Sequence, residues 1–155
     1  MEDKDNVIDI LTSGGVGILP TDTLYGLVGS ALMPETVERI YELKQRNLQK
    51  PFIVLIADIP ELEQFGVVLS GEIKTQLETY WPGPYSIVLP TIDEDFDYLH
   101  RGGGTIAFRL PDKEDLRELI REPGPLVAPS ANIEGKPPAR TTEEARKYFG
   151  TDIDF

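Results

Sequence analysis

The sequence of 155 residues contains no cysteine and one histidine, His100. Without thiols, the protein has no disulfide framework, no thiolate nucleophile and no cysteine-based zinc or iron–sulfur site. A single imidazole also excludes a metal site built from several histidines. The longest apolar run, residues 52–57, is far shorter than the ~18 residues that cross a bilayer. The first residues are mostly acidic, so we expect no secretory signal, no membrane association and a cytoplasmic protein.

Positive charge is scarce, because 15 Lys and Arg residues face 27 Asp and Glu residues, a net charge of −12. A field of this sign repels phosphate backbones and disfavours a general nucleic-acid binder. A local basic pocket for a small anion remains compatible with it. Much of the excess acid falls in segments typical of exposed helix faces, such as 61–63 and 143–144, and is interpreted as solvated surface.

The chain has no internal repeat, no low-complexity tract and no linker-like change in composition, which predicts one domain over residues 1–155. Helical and strand-like apolar patterns alternate along it, so the predicted fold class is α/β. The predicted helices lie near 7–11 and begin near 34, 70, 112 and 141. The predicted strands are 16–19, 52–57, 85–89, 105–110 and 125–128.

Capping residues mark the predicted helix ends, and a continuous apolar run marks the most buried strand. Ser70 and Asp112 are predicted N-caps, because their side chains can accept from free N–H groups of a first helical turn. Thr141 and Glu144 have capping-box spacing, and Gly150 ends the last helix. Residues 52–57 are apolar on both alternations, which predicts a strand covered on both faces.

Polar clusters follow the predicted strands at 20–26, 44–51, 105–109 and 129–136, where α/β sheets usually place ligand sites. In the first, PTDTLYG, the Thr and Asp side chains suit either a polar ligand or a plain turn. In the second, Lys44, Arg46 and Lys50 suit phosphate, although Lys44 and Arg46 also complement a helix dipole. Both interpretations stay open.

Arg109 shares one face of its predicted strand with Thr105 and Ala107. An inward-facing arginine needs an anion, either an internal carboxylate or a ligand, and the sequence does not decide between them. Residues 102–104 are three glycines, which are more typical of a flexible loop than of an anion cradle. Ser130 and Asn132 are candidate hydrogen-bonding groups for a ligand. Ser130 lacks the G-x-S-x-G frame of a triad nucleophile. Together, the clusters predict a polar, cationic pocket for a phosphate or carboxylate.

The clusters, in this order, resemble the YrdC/TsaC family of threonylcarbamoyl-AMP synthases. The matching motifs are PTDTLYGL (20–27), K-x-R with KP (44–51), WPGP-x-S (81–86), AFRLP (107–111) and PSAN with GKP (129–137). The resemblance implies a twisted open sheet of mixed strands with flanking helices and a concave cationic pocket. It also implies condensation of L-threonine, bicarbonate and ATP to threonylcarbamoyl-AMP and pyrophosphate. The product would serve the N6-threonylcarbamoyladenosine (t6A) modification of tRNA, through downstream transfer proteins and with a weak tRNA contact.

The resemblance also implies roles for individual residues. L-threonine would be bound by Thr23, Arg109 and the backbone at Ala128. ATP would be bound by Arg46, Lys50, Thr105, Ser130 and Asn132. The positioning and charge-neutralising work of catalysis would fall to Lys44, Arg46, Lys50 and Arg109. Mg²⁺ would sit on the phosphates without dedicated protein ligands. Trp81 and His100 are interpreted as structural.

Several positions depart from the family pattern. Leu55 and Pro138 stand where some members have a threonine-contacting His and an ATP-contacting Ser, and Glu134 replaces a usual Ser. Family members also continue for a few tens of residues beyond the last helix, a segment that this sequence does not include. Two alternatives therefore stay open: an RNA-binding or ligand-binding module of this type without turnover, and a carbamoyl-adenylate-forming relative such as the corresponding HypF domain.

Overall fold

The computed structural model describes residues 3–155. Helices and strands alternate along the chain, as the apolar pattern predicts. Two short 3₁₀ helices, Ile59–Phe65 and Glu94–Phe96, complete the set. In chain order the elements are α1 (Lys4–Thr12), β1 (Gly17–Pro20), β2 (Tyr25–Ser30), α2 (Pro34–Lys44), β3 (Val54–Leu55), α3 (Gly71–Tyr80), β4 (Ile87–Pro90), α4 (Asp97–His100), β5 (Thr105–Arg109), α5 (Glu114–Arg121), β6 (Leu126–Val127) and α6 (Thr142–Phe149).

The six strands form one mixed, open sheet in the order β1-β2-β6-β3-β5-β4. β3 and β5 are parallel, and the other paired neighbours are antiparallel. In the register, Leu55 lies opposite Arg109 on β5 and opposite Leu126 on β6. The predicted α/β class and the mixed sheet with flanking helices are therefore confirmed.

The sheet is buried on both faces at its centre. On one face, Val54 and Val127 pack in a cluster with residues of α2, such as Ile40. On the other, Leu55 and Leu126 pack against α1 and α5. The prediction that the strand around 52–57 is covered on both faces is confirmed, although regular pairing is confined to the two residues of β3.

The predicted helix ends are correct in most cases. The Ser70 hydroxyl accepts from the N–H of Ile73 at 3.2 Å, and Gly150 follows the last residue of α6. The prediction of Asp112 as an N-cap is wrong, because the extended residue before α5 is Lys113 and no side chain caps that end. In α6, Thr141 accepts from Glu144, but the Glu144 carboxylate accepts from the N–H of residue 140, so only half of the box forms.

β2 is the one long strand that the pattern does not predict. Its six residues begin inside the polar motif 20–27 and include two glycines, which make it resemble a loop in sequence. Gly29 is required there by close packing, because a Cβ would lie 2.6 Å from the Thr36 Cγ2 of α2. This contact lets α2 lie closely over the sheet.

Trp81 and His100 have structural positions, as expected. Trp81 is buried, and its indole N–H donates to the carbonyl of Tyr85 at 2.8 Å. His100 is also buried, and its Nδ1 lies 3.1 Å from the N–H of Gly102 and 3.4 Å from that of Gly104. These N–H groups are bonded within the fold and are not free to bind an anion, and the loop is hydrogen-bonded rather than loose.

Candidate functional site

The β1–β2 hairpin and the segment after β6 lie side by side and bring the first and fourth polar clusters together. The N–H of Leu27 donates to the carbonyl of Pro129, and the N–H of Ala131 donates to the carbonyl of Tyr25, both at 2.9 Å. An isolated bridge joins Gly26 and Ser130 between them. Sequence positions about a hundred residues apart therefore form one wall, at the strand ends where α/β sheets usually bind ligands.

Arg109, at the end of β5, is 6% exposed and is paired with a buried carboxylate. Its Nε and Nη2 donate to Oδ1 of Asp22, at 3.2 and 3.0 Å. Its Nη2 also lies 3.4 Å from the Thr23 hydroxyl. Asp22 Oδ2 is buried and has no hydrogen-bond partner within residues 3–155. The anion beside Arg109 is thus an internal carboxylate, one of the two alternatives that the sequence left open.

Lys44, the last residue of α2, is fully buried and supports the fourth polar cluster, residues 129–136, through hydrogen bonds. Its ammonium donates to the carbonyls of Ser130 and Asn132 at 2.7 and 2.9 Å, and to Asn132 Oδ1 at 2.9 Å. Burial lowers the pKa of Lys44 to about 8, with Glu134 opposing the shift and Arg46 adding to it. Asn132 Oδ1 also accepts from the Ser130 hydroxyl at 2.6 Å. Lys44 thus fixes the two polar side chains of this segment.

Arg46 lies just beyond α2 and is held by backbone carbonyls. Its Nε donates to the carbonyl of Lys50 at 3.2 Å, and its Nη2 donates to that of Pro51 at 2.9 Å. The guanidinium carbon lies 5.0 Å from the centre of the Phe52 ring. Its Nη1 pairs with the Glu134 carboxylate at 3.1 Å. The guanidinium plane is therefore fixed on three sides before any ligand arrives.

These segments surround a cavity of about 300 Å³. Five of the predicted binding residues line it: Thr23, Arg46, Arg109, Ala128 and Ser130. Gly26, Phe52 and Ile53 add backbone and apolar surface. The predicted pocket is thus present with two arginines, but each of them already has a carboxylate partner. These pairs largely neutralise its positive charge.

The other predicted site residues lie outside this cavity. Lys50 is exposed beside it, and Lys44 and Asn132 are buried behind its wall. Thr105 is exposed at the opposite end of β5 from Arg109, roughly 13 Å away at the rise of a strand. Leu55, which stands where some family members have a histidine, is buried in the core under the site.

A larger cavity of about 440 Å³ lies between α1, β1, α5 and the last residues of the chain. Its lining is mostly apolar and includes Ile18, Leu116 and Phe155. None of the predicted binding residues lines it. The cavity with the two arginines is the candidate site, since its side chains can recognise phosphate and carboxylate.

A resident metal site does not fit the described part of the chain. Residues 3–155 contain no group of three or more His, Asp or Glu side chains placed to hold a metal ion. The two carboxylates nearest the cavity, of Asp22 and Glu134, are each engaged by an arginine. The same part of the chain contains no helix that is both long and apolar enough to traverse a bilayer.

Three contributors to the site were not singled out from the sequence: Asp22, Phe52 and Glu134. Asp22 was visible only as one polar residue of the first motif, although the need of Arg109 for an anion was a signal for a nearby carboxylate. The sequence predicts Phe52 only as part of a buried strand. Glu134 stood out only as a departure from the family pattern.

Comparison with known proteins shows the family of this chain. A family model described as Sua5_yciO_yrdC, Telomere recombination, matches residues 9–155. A Threonylcarbamoyl-AMP synthase of Nitrosococcus oceani is 35% identical over 147 residues, which are 94% of this chain and 80% of that protein. The chain belongs to the Sua5/YciO/YrdC family. A Threonylcarbamoyl-AMP synthase of Bacillus subtilis is 38% identical over 147 residues, which are only 41% of its own length.

The family also has a solved relative with a bound amino acid. The structure of Sua5 from Pyrococcus abyssi complexed with L-threonine matches with a TM-score of 0.88 and 33% identity. The match covers 97% of this chain and 45% of that one. This chain therefore corresponds to a part of the longer relatives and to most of the shorter ones.

Proposed function

We propose that this protein is a threonylcarbamoyl-AMP synthase, which condenses L-threonine, bicarbonate and ATP into threonylcarbamoyl-AMP and pyrophosphate. The observation that supports this best is the placement of Arg109 with Thr23, and of Arg46 with Ser130, around one cavity. Two separate arginines suit two separate anions, a carboxylate and a phosphate. Two relatives that align with 94% of this chain are named Threonylcarbamoyl-AMP synthase.

In this proposal, Arg109 binds the threonine carboxylate and Thr23 binds a polar group of the same substrate. Arg109 is suited to this because Asp22 holds its Nε and Nη2 from one side. The Ala128 backbone closes the threonine end of the cavity. A guanidinium that is already oriented loses little freedom on binding, which favours affinity.

The nucleotide is proposed to lie toward Arg46 and Ser130. Both line the cavity, and Lys50 lies exposed beside it as a further cation for phosphates. Lys44 and Asn132 are assigned a different role from the direct contact that the resemblance implied. They hold Ser130 in place from behind the cavity wall. Thr105 could contact only a part of the nucleotide that extends well beyond the cavity.

The chemistry requires positioning and charge neutralisation rather than a protein nucleophile. The threonine ammonium first loses a proton to solvent. The resulting amine attacks the bicarbonate carbon, and a carbamate forms with release of water. A carbamate oxygen then attacks the α-phosphorus of ATP in line, and the bond to pyrophosphate breaks. Both partners of the second step are anions, so fixed guanidinium groups lower its barrier by holding them together. The lack of cysteine is compatible with this route.

Mg²⁺ enters this proposal as part of the nucleotide substrate. The carboxylates of the described residues form no site that would hold the ion by itself. We further propose that the protein acts in the cytoplasm, that its product serves tRNA t6A formation and that separate proteins transfer it. A direct tRNA contact has little support, because the net charge of −12 repels a polyanion.

Pyrophosphate release from ATP and bicarbonate, with and without L-threonine, tests the proposal. We expect threonine-dependent release that falls at least about a hundredfold in Arg109→Ala, since the substrate carboxylate loses its partner. Because this substitution leaves the buried Asp22 carboxylate without its partner, retained ATP binding is the check that the variant is folded. Pyrophosphate release that requires an added carbamoyl donor in place of threonine would support a carbamoyl-adenylate activity instead. Binding without release would support a module without turnover.

A further inference from the structure

Glu134 forms an ion pair with Arg46, one of the two arginines of the candidate site. Its Oε2 lies 3.1 Å from Nη1 of Arg46, and the two side chains are 30% and 21% exposed. Among residues 3–155, the Glu134 carboxylate makes one hydrogen bond, and its donor is Nη1 of Arg46. Arg46 lines the cavity and Glu134 does not, so the carboxylate engages one donor of a cavity-lining arginine from outside the lining.

Arg46 does not depend on Glu134 for its position. The carbonyls of Lys50 and Pro51 hold its Nε and Nη2, and the Phe52 ring lies against its guanidinium. Nη1, which Glu134 occupies, makes none of these bonds. The guanidinium would therefore stay in place, with Nη1 available, if the carboxylate moved away.

Glu134 can move its side chain while its backbone stays fixed. Its N–H donates to the carbonyl of Lys44 at 2.8 Å, which anchors this position to the end of α2. Gly135 follows with φ +85°, in a turn that Lys136 closes onto the carbonyl of Ile133. The carboxylate can thus leave Arg46 by rotation of its own side chain, without a change in the loop.

We propose that Glu134 competes with nucleotide phosphate for Nη1 of Arg46 and so sets the nucleotide affinity of the site. A partly exposed ion pair is weak enough for a polyphosphate to displace. The displaced carboxylate still lies close to the phosphates, and the like charges repel each other. Both effects weaken binding relative to a neutral residue at this position. This inference rests on the proposed placement of the nucleotide at Arg46.

The test is equilibrium binding of MgATP, and separately of inorganic tripolyphosphate, to the wild-type protein and to Glu134→Gln. Glutamine keeps the size and the hydrogen-bonding oxygen but removes the charge. We expect both anions to bind about three- to tenfold more tightly to the variant. L-threonine binding should be unchanged. Glu118→Gln is the matched control, because Glu118 pairs with Lys4 at 3.2 Å and neither residue lines the cavity.

Equal or weaker binding of both anions to Glu134→Gln, with an unchanged melting temperature, would overturn the inference. It would mean that Glu134 supports Arg46 or assists the bound anion. If ATP binds neither protein but tripolyphosphate binds the variant more tightly, the competition stands and the nucleotide assignment fails. If neither anion binds either protein, both are wrong. Binding of both anions that is lost in Arg46→Ala confirms that Arg46 is the shared contact.

Discussion

At the scale of single residues, the site pairs two arginines with two carboxylates, but the pairs differ in burial. The Arg109–Asp22 pair is buried, with side-chain exposures of 7% and 8%. The Arg46–Glu134 pair is partly exposed, at 21% and 30%. A buried pair is costly to break because it leaves an uncompensated charge, whereas an exposed pair is exchanged readily. Asp22 therefore orients its arginine, and Glu134 competes with a ligand for its own.

The anion partner of Arg109 was predictable in kind but not in identity. An inward arginine on a strand requires a negative partner, and the sequence offers 27 acidic residues. Asp22 lies 87 positions away along the chain. Only the pairing of β2 with the segment after β6, and the position of β5 in the sheet, brings the two side chains together.

Lys44 provides a pH test of its buried position. Burial lowers the pKa of Lys44 from 10.5 to about 8, so between these values the unfolded chain binds a proton that the folded chain does not. Stability then rises with pH in that window. We expect wild type to gain unfolding free energy relative to Lys44→Met from pH 8 to 10.5, by roughly 1 kcal/mol per pH unit over part of the range.

The measurement is urea unfolding of both proteins at several pH values, in which the effects of other groups cancel in the difference. Near pH 7, Lys44→Met should itself be destabilised by about 1–3 kcal/mol, because carbonyls of Ser130 and Asn132 lose a donor. A difference that stays flat above pH 8 would show that the three hydrogen bonds keep the pKa of Lys44 at its ordinary value.

At the scale of elements, the loop between α2 and β3 is held by an aromatic stack of Tyr41 and Phe52. The rings of Tyr41 and Phe52 lie 4.0 Å apart, and Arg101 covers the far side of Tyr41 at 3.8 Å. The Tyr41 hydroxyl donates to the carbonyl of Lys50 at 2.6 Å, the same carbonyl that accepts from Arg46. Tyr41, a buried residue of α2, therefore holds the carbonyl that accepts from Arg46 and in this way helps to position Arg46.

We expect Tyr41→Phe to weaken ATP binding about three- to tenfold while threonine binding is unchanged. The ring and its packing remain, but the Lys50 carbonyl loses the donor that fixes it near Arg46. The measurement is the equilibrium affinity for each substrate. Tyr98→Phe is the matched control, because its partly buried hydroxyl also donates to a carbonyl, that of Ala31 at 2.7 Å, and Tyr98 does not line the cavity.

Both tyrosine variants should lose a similar unfolding free energy, about 1 kcal/mol for one buried hydrogen bond. If the ATP affinities of the two variants fall equally, or if neither falls, Tyr41 has only a structural role.

The elements that sequence predicted well are those with a strong apolar period and a cap. α2 and α3 begin where Pro34 and Ser70 indicate, because these residues act through local physics alone. β2 could not be predicted in this way. Its first residues are polar and turn-like, and its strand conformation is stabilised by β1 on one side and by β6 on the other.

At the scale of the whole molecule, the open mixed sheet brings four distant polar clusters to one region. The order and content of these clusters were visible in the sequence, and with them the family and the general position of the site. The electrostatic state of the pocket was not. Counting Lys44, Arg46, Lys50 and Arg109 predicted a cationic pocket, but tertiary contacts bury Lys44 and neutralise both arginines. Charge counts along a chain do not record such pairings.

The proposed function requires one cavity to bind threonine, bicarbonate and the nucleotide together and to catalyse their condensation. The most direct measurement is mass spectrometry of the nucleotide products formed from ATP, L-threonine and ¹³C-bicarbonate. We predict an adenylate that contains threonine and gains one mass unit from the label, and that is missing in Arg109→Ala. A labelled adenylate without threonine, or unlabelled AMP alone in the presence of all three substrates, would contradict the account.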